Sequence, residues 1–186
     1  MRVSIGLLLM LAASPSVQGQ IEPDRRFGLK QTLEIYQQDS PRKTLTSLTR
    51  ALDKGRYDYI VAFLIDPAFI DEQIRQVYPT FETRARAQVQ KEAEAGKGYD
   101  REFTANRIKE LATQASFNHI VARVREHFDN DPENVKALRR MVNAGEFNEG
   151  ADVTSVKLND VKDKTLFIRK AGDRWYLENR IQEDKP

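Results

Sequence analysis

The chain has 186 residues, 31% of them charged, and its 30 basic and 28 acidic side chains leave a formal charge of +2. With both signs mixed along the chain, this near balance gives no long-range field for a polyanion, so a nucleic-acid partner is not expected. There is no cysteine, which excludes disulfides, thiol catalysis and the lipid-attachment residue of a lipoprotein.

The N-terminus reads as an export signal over residues 1–19. Arg2 supplies a positive start, Val3 to Ala13 form an apolar run, and Val17-Gln18-Gly19 place small residues where a signal peptidase reads. The run is too short for a stable membrane anchor, and no later stretch reaches spanning length. A mature chain from about Gln20, periplasmic or secreted and with no membrane span after cleavage, is the expectation. Removing residues 1–19 takes away Arg2 and no acidic residue, so the +2 falls to +1. What remains suffices for one domain of ordinary size with its own core.

Residues 20–39 carry Pro23, Gly28 and scattered aromatics, and are expected as an extended lead-in pinned by Phe27, Leu33 and Tyr36. A single domain over 40–182 follows. Ser40-Pro41 is a helix start, serine as cap and proline at the first helical position. Leu45, Leu48 and Leu52 recur at helical spacing, and Gly55 is a left-handed terminator. Tyr57 to Ile65 is short and almost wholly apolar, and its context favours a buried helix over a strand. Asp66-Pro67 predicts a third, short helix carrying Phe69, Ile70, Ile74 and Val77.

Pro79 is expected to open a helical insertion of about 79–145. Thr80 to Ala95 has a thin apolar stripe of Phe81, Ala85 and Val89, and Gly96-Lys97-Gly98 breaks it. A longer helix from about Asp100 to Phe128 then carries Phe103, Ile108, Leu111, Ala115, Ile120, Val121, Val124 and Phe128. The two segments read as a long helical hairpin with a glycine turn. Asp131-Pro132 starts another helix with Val135, Leu138 and Met141, ending near Gly145. The period then becomes two. Val153 to Leu158, Thr165 to Arg169 and Arg174 to Asn179 predict three strands, with turns at Asn159-Asp160 and Gly172-Asp173. Helices first and strands last give an α+β domain: several helices packed on a C-terminal three-stranded antiparallel meander.

Two stretches carry a resemblance. Ser-Pro-Arg-Lys-Thr-Leu from Ser40, followed by Ala-Leu-Asp-Lys-Gly-Arg-Tyr-Asp-Tyr from Ala51, resembles the opening helix and corner of nuclear-transport-factor-2-like (NTF2-like), cystatin-like domains. The stretch from Phe167 to Asn179, with Gly172-Asp173-Arg174-Trp175-Tyr176, is similar to their last hairpin. The resemblance implies helices packed in the concave face of a curved sheet, around a conical pocket. Usual members have more strands than expected here and a shorter segment in place of 79–145. The mature chain is also similar to a family of exported bacterial proteins without an assigned activity.

Because some members of that fold use a pocket Asp or Tyr for proton transfer, the resemblance makes Tyr57, Asp58, Phe63, Asp66, Trp175 and Tyr176 the candidate pocket lining. A buried carboxylate beside aromatics would suit acid–base work. The plainer reading has greater weight: Asp58 and Asp66 as helix-start residues, the aromatics as core. His119 and His127 lie eight apart with Arg123 between them, which is not zinc-pair spacing. Asp129-Asn130-Asp131 lacks the glycine and distal Glu of a calcium loop. No cofactor, metal or catalytic residue is assigned. The expectation is an exported, non-enzymatic binding or scaffolding domain for a small molecule or envelope protein. The alternative is an isomerase- or hydratase-type enzyme with a pocket Asp or Tyr. The polar helices of about 80–128 are a candidate contact for a second copy.

Overall fold

The computed structural model describes residues 25–96, 100–160 and 165–178. The expected signal, residues 1–19, lies outside the described residues, as does Asn179. In chain order the elements are β1 (Arg25–Arg26), β2 (Leu29–Lys30), α1 (Pro41–Asp53), α2 (Tyr57–Tyr59) and a π-helical turn at Ile60–Leu64. Then come α3 (Pro67–Glu94), α4 (Arg101–Asn130), α5 (Pro132–Ala144), β3 (Glu146–Glu149), β4 (Val153–Lys157), β5 (Thr165–Ala171) and β6 (Arg174–Glu178). The fold class is α+β.

The helix starts follow the sequence signals. Ser40 accepts from the Lys43 amide at 3.3 Å, with Pro41 behind it, and Gly55 sits at φ +61° after α1. The Asp66 carboxylate accepts from the Ala68 amide at 2.9 Å, and those of Asp100 and Asp131 cap α4 and α5 in the same way. Each such cap contributes about 1 kcal/mol. The segment after Tyr59 is helical and buried, as expected, but wound as a π turn in which the Ile65 amide donates to the Ile60 carbonyl at 3.1 Å. Ile60, Val61, Ala62, Phe63 and Leu64 are all buried. A helical turn apolar on every side needs neighbours all round, and this one has α1, α3, α4 and β6.

Pro79 does not end a helix. α3 runs through it to Glu94. Proline removes one i→i−4 bond and costs roughly 3 kcal/mol in a helix interior. Burial on both sides outweighs that: Ile70, Ile74 and Val77 join the main core, while Tyr78, Phe81, Ala85 and Val89 meet Ile108, Leu111 and Ala112 of α4 in a smaller second cluster. The apolar stripe of Phe81, Ala85 and Val89 is therefore used within the chain. Phe103, expected on the apolar face of α4, is 49% exposed.

The sheet has four antiparallel strands in the order β3-β4-β5-β6, not three. The missed strand, Glu-Phe-Asn-Glu, turns only Phe147 inward, opposite Val156, so its alternation is one residue long. Between β5 and β6, Ala171 pairs with Arg174 across Gly172 at φ +64°, the two-residue turn that the glycine signalled. One face of the sheet is buried through Thr154, Val156, Ile168, Trp175 and Leu177.

The lead-in also differs from a plain extended segment. β1 and β2 pair across Phe27 and Gly28, both at positive φ, and the Phe27 ring stacks on Phe117 at 4.5 Å. Tyr36 is buried against Tyr59. Leu33, expected as a pin, is exposed; Gln38 takes that part, buried between the core and β6.

Candidate functional site

Helical periodicity brings several apolar faces to one place. Ile120, Val124 and Phe128 on α4, Ala137, Leu138 and Met141 on α5, and Phe69 and Ile70 at the start of α3 converge over Leu166 and Leu177 of the sheet. They line a cleft of about 750 Å³. Spacings of three and four residues put Ile120, Val124 and Phe128 on one face of α4, bring Ala137 and Leu138 alongside Met141 on α5, and bring Phe69 and Ile70 alongside Gln73 on α3. Ile70, Ile120, Met141 and Leu177 form the buried floor, while Phe69, Val124, Phe128, Leu138 and Leu166 stay half-buried along the walls. Polar groups sit among them: Gln73, Arg123, His127, Asn134, Thr165 and Glu178.

None of the six sequence-predicted pocket residues is among those lining this cleft. Tyr57 donates its hydroxyl to Asp129 at 2.8 Å, and Arg125 reaches the other oxygen of that carboxylate at 3.3 Å. Partial burial, then the bond to Asp129, raises the Tyr57 pKa above its ordinary value. Asp58 is held in an ion pair with Arg56 at 3.0 Å. Phe63 is buried beside Tyr59, with ring centroids 4.9 Å apart. Asp66 is buried but engaged, one oxygen capping α3 and the other 3.4 Å from Arg169.

Trp175 and Tyr176 cannot share one pocket, because consecutive strand residues point to opposite faces. Trp175 is buried on the helix side; Tyr176 pairs with Arg169 on the other face and is half-buried. Phe63 and Trp175 do come together. Gln38 bridges them, its amide donating to the Phe63 carbonyl at 2.8 Å and to the Trp175 carbonyl at 2.9 Å.

The two histidines are likewise separate. His119 lies against Phe81, ring centroids 5.5 Å apart, whereas His127 lines the cleft edge-on to Phe128 at 5.6 Å. Among the described residues, no group of three or more His, Asp or Glu side chains is placed to hold a metal ion. No described helix is long and apolar enough to cross a membrane.

The cleft residues were visible in the sequence only as core positions. Arg123 and His127, at i+3 and i+7 from Ile120, mark where the apolar face of α4 reaches solvent. A stripe that packs completely has no such interruption, but the pattern alone does not tell a rim from a surface.

No protein-family model matches the chain, and no curated protein or solved structure matches it either.

Proposed function

We propose that the protein is an exported, non-enzymatic binding domain whose ligand is a small apolar molecule held in the cleft between α3, α4, α5 and the sheet. The observation that carries this reading is the cleft itself. Its volume of about 750 Å³ falls within the roughly 300–1,000 Å³ of small-molecule sites, and its walls are apolar with a few polar groups at intervals. The NTF2-like resemblance supports the same arrangement, since such domains keep a pocket between helices and sheet. The enzyme alternative has less support: it needs an unengaged Asp or Tyr inside, and Asp58, Asp66 and Tyr57 all have partners outside the cleft. A contact with a second copy through the helices of about 80–128 also has less support, because their apolar stripe packs within the chain.

The test is calorimetric titration of the purified protein with 1-dodecanol, an uncharged apolar probe. Saturable binding is expected, lost in Val124→Trp, where the indole fills the cleft, with the melting temperature retained. A wild-type protein that binds nothing, or a Val124→Trp protein that binds as well as wild type, would refute the proposal.

A further inference from the structure

The charged groups around the cleft are not equivalent. Arg123 lines it from α4, one turn before His127. Its guanidinium forms no hydrogen bond or ion pair with any described residue. Other arginines of α4 and α5 are engaged: Arg125 with Asp129 at 3.3 Å, Arg139 with Asp53 at 2.6 Å and Arg140 with Asp160 at 2.5 Å. Glu178, the carboxylate on the sheet side of the cleft, has an interaction of its own. The cleft thus presents an apolar surface with an unneutralised planar cation on one wall.

From this pairing we infer that the ligand is a single-headed amphiphile of the fatty-acid class, its alkyl chain in the cleft and its carboxylate on Arg123. The inference rests on the cleft being the binding site and adds the identity of the head group. Half-buried Phe69, Val124, Leu138 and Leu166 offer the chain an apolar surface that water solvates poorly. Guanidinium and carboxylate match as planar forks, giving two parallel charge-assisted hydrogen bonds. A single unpaired cation matches a monoanion; a dianionic head would lack a second.

The experiment compares dodecanoate with 1-dodecanol, two ligands with the same alkyl chain, titrated calorimetrically into wild-type and Arg123→Gln protein. Arg123 is exposed, so its preference for the acid is expected at about fivefold, the affinity ratio of an ion pair at the upper end of the exposed range. That preference should shrink toward unity in Arg123→Gln, and should weaken in wild type as salt is raised. Equal binding of acid and alcohol by wild type, or an acid preference that survives Arg123→Gln, overturns the head-group assignment and leaves the cleft standing. Failure to bind either probe overturns the cleft reading, and the assignment with it.

Discussion

Gln38 and Trp175 bond to each other twice, through the main-chain amide and the main-chain carbonyl of Trp175. The Trp175 amide donates to the Gln38 main-chain carbonyl at 2.9 Å, and the Gln38 side-chain amide donates to the Trp175 carbonyl, also at 2.9 Å. The lead-in is thereby fastened to the outer edge of β6. One step further along that edge, the Asp66 amide donates to the Leu177 carbonyl at 2.9 Å. An edge that would otherwise offer unpaired groups to another chain is covered by two segments of its own. The Gln38 side chain is also held from the other side, its Oε1 accepting from the Gln31 side-chain amide at 3.0 Å.

Gln38→Leu removes the partner of the Phe63 carbonyl and leaves the Trp175 carbonyl, among the described residues, with only the Thr44 hydroxyl, at 3.3 Å. Stranding buried carbonyls costs about 1–3 kcal/mol. Urea unfolding should show a loss in that range, and a variant as stable as wild type would mean that the lead-in is not fastened there.

Trp175→Ala tests the junction from the strand side. The indole is buried in the main cluster with Leu177, Phe63 and Ile168, and truncating such a residue costs roughly 3–5 kcal/mol. An unchanged unfolding midpoint would reject its placement in the core.

Thr154 makes the opposite case. It is fully buried on β4 opposite Ile168, and among the described residues its hydroxyl has no hydrogen-bond partner. Valine has nearly the same shape without the desolvation cost. Thr154→Val should leave stability unchanged or raise it by up to about 1 kcal/mol. A clear loss in urea unfolding would show that the hydroxyl is satisfied.

Three tyrosines bear on stability at alkaline pH. Burial is the leading cause that raises Tyr57, Tyr59 and Tyr78 above the ordinary value of 10.0. The folded chain therefore holds these protons to higher pH than the unfolded chain does. Their contribution is complete below about pH 10 and is lost as pH rises through the folded values. Tyr59 is the most buried of the three, and its hydroxyl accepts from the Thr32 amide at 3.1 Å. Unfolding free energy should fall above pH 10 in wild type and fall less steeply in Tyr59→Phe. Parallel pH curves for the two proteins would remove Tyr59 from the explanation.

Much of the helical frame was legible because its signals are local. Ser40-Pro41, Asp66-Pro67 and Asp131-Pro132 each combine a side-chain acceptor with a residue suited to the first turn, and Gly172 takes the positive φ that its turn requires. What escaped depends on partners distant in sequence. Pro79 reads as a break until α4 supplies the burial that carries α3 past it. β3 holds one inward residue and is specified mainly by its pairing with β4. Trp175 and Tyr176 are consecutive in β6, and period two alone separates their faces. The cleft was not legible as a site. Its walls come from α3, α4, α5 and two strands, and each contributes residues that read, taken alone, as ordinary core.

The most direct test of the central claim is a methyl NMR titration of the wild-type protein with dodecanoate. Saturable shifts should concentrate at Ile70, Ile120, Val124, Leu138 and Leu166, which line the cleft, and spare Val89 and Ile108 in the second cluster. Shifts confined to Val89 and Ile108, or none that saturate, would contradict the assignment of the cleft as the binding site.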